Sequence, residues 1–176
     1  DKSAKITYSA FERIFEKYPK LKGKLPAVRS KVLDANVIAQ TDMTYGKKQI
    51  LLNKLFFKDY AVFKKHYAES VEKGVHPKGT TAKANIYHEF AHCLDGILTQ
   101  RMSKTALEKC PTFSEYACKQ IFTLTGKNPA DILTEVSIYA QTDYKEMFAE
   151  CFAELMDSST PREFATELGR ILEDAF

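Results

Sequence analysis

Three side chains near the middle of the chain could do chemistry together. They are His88, Glu89 and His92, in the run N-I-Y-H-E-F-A-H-C-L-D from Asn85 to Asp95. Residues four apart on an α-helix lie one above the other on the same face. His88 and His92 can therefore offer two imidazoles to one metal ion. Glu89 is turned by about 100° from His88, so it flanks the ion rather than ligating it. Two imidazole ligands beside a carboxylate that can take a proton from an activated water suit metal-assisted peptide hydrolysis.

A catalytic zinc site usually takes three protein ligands and leaves one position open. The extended pattern H-E-x-x-H-x-x-G-x-x-H does not supply the third, because Asp95 stands at its glycine and Leu98 at its last histidine. A later helix, expected over 143–156, offers carboxylates instead. Glu146, Glu150 and Glu154 recur every four residues and share one side of it. Ala149 and Ala153 beside them would let another helix come close, and Phe148, Phe152 and Leu155 mark the opposite side. One glutamate is expected to bind the ion and a neighbour one turn away to hold a histidine N–H. The spacing leaves Glu146 and Glu150 both open as the ligand.

These residues need a frame. Apolar spacing predicts helices over 9–18, over 59–73 with Asp59 as cap, and from Thr80 or Thr81 to about Gln100. Further helices are expected over 113–125, from Pro129 to about Val136 with Asn128 as cap, and from Thr142 or Asp143 to about Met156. The last follows Thr160 as cap, with Pro161 at its first position and Glu163 closing a capping box. Residues 31–39 and 48–57 read as strands joined by a turn around Gly46. The apolar run within 48–53 suits an inner strand, and an extended substrate is expected to lie beside it. Residues 74–80 and 101–112 read as connections. His66 reads as a helix-surface histidine and His76 as a loop histidine, neither with a chemical part. The result is a single α+β domain over 1–176, mostly helical with a small sheet.

Composition narrows the partners. The chain has 176 residues, 44% hydrophobic and 28% charged, with a net charge of +3 spread along it. That charge is too weak and too scattered to argue for nucleic acid. No apolar run is long enough for membrane insertion, and D-K-S-A-K does not resemble a signal peptide. A start at Asp1 suits a mature form or a domain cut from a longer protein. Cys93, Cys110, Cys118 and Cys151 form no C-x-x-C pair. Cys93 and Cys151 fall on predicted helices as small core residues, which favours reduced thiols and leans towards a cytoplasmic setting.

H-E-F-A-H-C-L-D followed by Y-A-Q-T-D-Y-K-E-M-F-A-E-C-F resembles the catalytic domain of the anthrax lethal factor-like zinc metallopeptidases. That family includes small secreted Pro-Pro endopeptidases and domains of phage-related proteins. Its pattern is H-E-F-G-H-x-x-D, then Y-x-x-T-N-x-x-E-x-F-A-E-x-F. The chain departs from it at Ala91 and Asp143. The resemblance implies a zincin-like fold holding one Zn²⁺, with Glu146 as the third ligand beside His88 and His92. It further implies Glu89 and Tyr139 as catalytic residues, and Glu150 and Asp95 as carboxylates supporting the ligands. A peptide or protein substrate and a secreted or phage-associated location follow from the same source. The alternative is a domain that keeps this fold and binds a protein partner without cleaving it. An intact Glu89 argues against that, because a purely structural site needs no base.

Overall fold

The computed structural model, which describes residues 2–24, 26–44 and 48–176, is organised around two helices packed side by side. Helix α4 (Ala84–Thr99) carries the two histidines and α8 (Tyr144–Asp157) carries the three glutamates. Every residue of α8 from Met147 to Glu154 is buried, and α4 is buried round most of its girth. Both helices are thus core elements, although each also buries ionisable side chains, among them Glu89 on α4 and Glu150 on α8. Ala91 on α4 and Ala149 and Ala153 on α8, all buried, add little side-chain bulk to the packing. Phe90 meets Phe152 with ring centroids 6.2 Å apart, and each buried phenylalanine stabilises the fold by about 2–3 kcal/mol.

The remaining elements surround this pair. In chain order they begin with α1 (Lys2–Lys17), β1 (Ala27–Lys31), β2 (Ala39–Asp42), β3 (Gln49–Asn53), α2 (Lys54–Phe57) and α3 (Tyr60–Glu72). After α4 come α5 (Lys104–Lys109), α6 (Phe113–Thr125), α7 (Ile132–Glu135), then α8 and α9 (Glu163–Ala175). Single 3₁₀ turns occupy Pro19–Leu21, Pro129–Asp131 and Tyr139–Gln141. The architecture is α+β, mostly helical, with one three-stranded sheet. No helix among the described residues is long and apolar enough to cross a membrane.

Local chemistry fixes the ends that matter. Asp143 caps α8 by accepting hydrogen bonds from the Lys145 and Glu146 backbone N–H groups, which sets Glu146 in the first turn. Thr112 caps α6, and Gly126, at φ +68°, ends it in the left-handed conformation that glycine adopts without strain. Helix α3 stops in the same manner at Gly74, where Val75 N–H returns to Ser70 O and Gly74 N–H to Val71 O.

The sheet differs from the expectation in three ways. Its order is β1-β3-β2, with β1 parallel and β2 antiparallel to β3. The predicted strand over 31–39 is mostly a loop, turned at Asp34–Val37. Buried Asn53 clips that loop, donating to Asp34 O and Val37 O and accepting from Leu33 N–H. The same side chain caps α2, so β3 ends at Asn53 instead of running to residue 57. Being central, β3 has both edges taken and cannot receive a substrate strand. The turn expected around Gly46 lies outside the described residues.

Smaller departures have local causes. The connection 101–112 contains α5, capped by Ser103. Helix α4 begins at Ala84, after a turn in which the Thr81 hydroxyl accepts from Lys83 N–H. Helix α9 begins at Glu163 rather than just after Thr160: Arg162 stands before it in extended backbone with its N–H bound by Glu154, and the capping box expected of Thr160 and Glu163 does not form. All four cysteines are buried free thiols.

Candidate metal centre

One turn of α4 stacks His88 and His92, with their Nε2 atoms 3.1 Å apart. Glu146 enters from the first turn of α8. Its Oε2 lies 3.1 Å from His88 Nε2 and 3.7 Å from His92 Nε2. One ligand atom from each of these three residues falls within 4.8 Å of the others. Four ligands at about 2.0–2.1 Å in a tetrahedron sit about 3.3 Å from one another, and the three separations straddle that value. Glu146 Oε2 is buried and, despite its closeness to both imidazoles, accepts no aligned hydrogen bond. An anionic oxygen shut off from water and from donors is costly unless a cation satisfies it. The donor set and its geometry thus fit a small divalent ion.

Behind the ligands lies a support. Glu150, one turn after Glu146 and only 1% exposed, places Oε1 2.8 Å from His88 Nδ1. Its Oε2 accepts from the Ser137 hydroxyl at 3.0 Å and approaches His76 Nδ1 at 3.3 Å. This bond directs the Nε2 of His88 at the ligand position. Burial alone would raise the Glu150 carboxyl, but the contacts from His76 and His88 outweigh it and pull it down to about 2. Burial would likewise depress His88, yet the Glu146 and Glu150 carboxylates drive it up to about 10. His92 is lowered to about 4, by burial first and then by the charge on His88. Of the two imidazoles, His88 is the one that the surrounding carboxylates favour in its protonated form.

Glu89 faces the cleft from the adjacent position on α4. The Thr41 hydroxyl, from β2, lies 2.7 Å from both Glu89 Oε2 and Glu89 O and can donate to one at a time. Burial holds the Glu89 carboxyl above the ordinary carboxylate range, against the pull of His88 and Thr41. A carboxylate with raised basicity suits a general base. Tyr139, 41% exposed, leans over His88 with ring centroids 5.8 Å apart. Its phenol is pushed up to about 12, chiefly by burial and then by Glu146, so it stays a hydrogen-bond donor at neutral pH. The cleft onto which all these groups open has a volume of about 810 Å³. Ala39, Gln40 and Thr41 of β2 form one wall, and among the described residues no strand pairs with the outer side of β2. The free strand edge at this cleft is therefore that of β2.

The structure brings His88, His92, Glu146, Glu89, Tyr139 and Glu150 into one site. Asp95 lines the same cleft, but its hydrogen bonds run to the start of α6 and to Thr99 on its own helix. Its Oδ1 accepts from Ser114 N–H at 2.6 Å and from the Thr99 hydroxyl at 3.4 Å, anchoring the start of that helix. Glu154, the third glutamate of the stripe, is held by Arg162 far from the ligand position in role and surroundings.

Three contributors carry no signal in the local sequence. Thr41 and Ser137 are ordinary hydroxyl residues until the fold sets them against Glu89 and Glu150. His76 is not the idle loop histidine it looks like. Its ring stacks on Tyr67 at 4.9 Å, meets the Tyr139 ring edge-on at 6.2 Å, and contacts Glu150. Its loop is tied to the tyrosine segment by Ile138 N–H to Gly74 O and Tyr139 N–H to Val75 O. Glycines at both ends of that loop and Pro77 after the histidine were the available hint of a shaped segment.

No protein-family model, curated protein or solved structure matches the chain. The resemblance to the lethal factor-like peptidases rests on the two motifs that meet at this site.

Proposed function

We propose that the chain is a zinc-dependent endopeptidase with a glutamate as its third ligand. The observation that carries this reading is the convergence of His88, His92 and Glu146 with a buried carboxylate, Glu89, at the same cleft. His88 and His92 as neutral imidazoles and Glu146 as a carboxylate would hold the ion. When bound, zinc supplies Lewis acidity, which makes a water easier to deprotonate and a carbonyl easier to attack.

The rest is done by the chain's own groups. An extended substrate pairs along the β2 edge, which lays a peptide bond across the site beside Thr41. Glu89, steadied by the Thr41 hydroxyl, accepts the proton of the attacking water and passes it to the leaving amine. The Tyr139 phenol donates a hydrogen bond to the oxygen on which negative charge develops. Glu150 keeps the His88 ring turned to the ion, and His76 and Ser137 keep Glu150 in place.

The test is a mixed-peptide cleavage profile on zinc-loaded protein, with and without chelator, run beside Glu89→Gln. Chelator-sensitive cleavage is expected. Glu89→Gln should keep one equivalent of zinc and lose turnover by about 10²–10⁴-fold. Full turnover in that variant, or cleavage indifferent to chelator, overturns the reading.

A further inference from the structure

On the far side of the sheet from the metal centre, β1 makes an unusual edge. Parallel strands are ordinarily covered on both faces, yet all five residues of β1 are exposed. Its Ala27 N–H turns inward to Lys48 O. Backbone groups alternate along a strand, so Val28 and Ser30 direct theirs outward, where no strand among the described residues meets them.

Beside this edge runs a groove of about 580 Å³ between α1, β1 and α2. Its floor is apolar: Phe11, Leu52 and Phe57, each buried. Tyr8, 66% exposed, and Val28 form its sides. Arg29, Lys54 and Lys58 stand on its rim, and among the described residues no aspartate or glutamate lines it.

We propose that this groove docks an extended, acidic segment of a partner protein. The segment adds a strand to the outer edge of β1 and sets alternate apolar side chains on Phe11, Leu52 and Phe57. Its acidic side chains meet Arg29, on the face of β1 opposite Val28 and Ser30, and reach Lys54 and Lys58 at the rim of the groove. The charge decides among occupants. A second copy of β1 would bring its own Arg29 and Lys31 against these cations, so pairing of two copies is opposed. An acyl chain could use the apolar floor, but it would leave the outward N–H and C=O groups of Val28 and Ser30 unused. The proposal does not depend on the hydrolytic reading, because β2, not β1, borders the metal centre.

The experiment is fluorescence anisotropy with a labelled peptide of about ten residues alternating glutamate and valine, matched to the period of two of a strand. A lysine–valine peptide of the same length and vesicles of phosphatidylglycerol are run beside it. The acidic peptide should bind, the basic one should not, and added salt should weaken the complex. Lys54→Glu combined with Lys58→Glu should weaken binding by at least about tenfold. Ser30→Pro removes one outward N–H without touching the inward ladder and should weaken it too, with an unchanged circular-dichroism spectrum. Any of three results overturns the proposal. They are equal binding of both peptides, an acidic peptide indifferent to the charge reversal, and no peptide binding in a protein that instead binds vesicles or dimerises.

Discussion

At the start of α8, Glu146 reaches into the cleft with a buried oxygen that takes no hydrogen bond. Two turns later on the same helix, Glu154, 1% exposed, is clasped by Arg162 through Nε to Oε1 at 2.9 Å and through a second nitrogen to Oε2 at 2.8 Å. That guanidinium also donates to Thr134 O and Val136 O, and so fastens the segment leading to Tyr139. One carboxylate faces two imidazoles at an open cleft and the other is clasped by a guanidinium. Glu150, between them, is shared by two histidines and a serine. Helical periodicity makes the three equivalent. What separates them is which element packs against each turn, and that decides whether a carboxylate binds a ligand or holds the fold.

The contrast is easiest to break at its open end. Glu146→Gln keeps the shape of the side chain and removes the charge. Zinc content measured on dialysed protein should fall from about one equivalent towards none, a larger loss than the roughly 10–100-fold that removal of a supporting partner costs. The metal-free variant also loses the 3.1 Å contact between Glu146 and His88, so zinc content and not the melting temperature is the readout here. If Glu146→Gln kept its zinc while Glu150→Gln lost it, the two glutamates would have to exchange roles.

The closed end should respond in the opposite way. Arg162→Ala leaves Glu154 buried without its partner, which costs about 3–5 kcal/mol. Denaturant midpoints of the metal-free protein measure this directly. Zinc bound at saturation by the folded fraction should stay at one equivalent. Pairing Arg162→Met with Glu154→Gln should restore much of the stability, since the uncompensated charge is then gone.

How much of this was legible beforehand follows from the same contrast. Elements closed by their own neighbours could be read: α6 begins at Thr112 and stops at Gly126 as the residues suggest, and Asp143 caps α8. Ends set by a distant partner could not be read. Helix α9 starts late, after an Arg162 held in extended backbone against Glu154, and β3 stops early because Asn53 must serve both a cap and a loop twenty residues back. The site divides in the same manner. His88, Glu89 and His92 share one helix and announce themselves by spacing. Thr41, His76 and Ser137 reach it from three other segments, and no local pattern couples residue 41 to residue 89 or residue 76 to residue 150.

Glu150 lies between the two ends of α8, and its removal should show a mixed effect. Glu150→Gln should lower zinc affinity by roughly 10–100-fold, with catalysis recoverable at saturating metal. A proton is involved as well. Glu146 and Glu150 raise His88 above the ordinary imidazole range, so zinc has a proton to displace from it. Affinity in the parent protein should therefore climb with pH across neutrality, by about tenfold per unit for one displaced proton. A flat profile between mildly acidic and mildly basic buffers would mean that His88 is not the proton's seat.

The smallest effect should come from His76, and it tests how far the support extends. Its Nδ1 lies 3.3–3.4 Å from the Glu150 oxygens, a longer contact than the 2.8 Å from Glu150 to His88. Long hydrogen bonds are weak ones, so His76 should matter less to the metal than Glu150 does. His76→Phe keeps a ring between Tyr67 and Tyr139 and deletes only the polar contact. Zinc affinity should drop by less than about tenfold, below the range for Glu150→Gln. His76→Ala removes the ring too, and with it the surface against which Tyr139 rests. The alanine variant should therefore lose more turnover than the phenylalanine variant at equal zinc occupancy. If the two variants behaved alike, the stacking would be idle and His76 would act on the site through Glu150 alone.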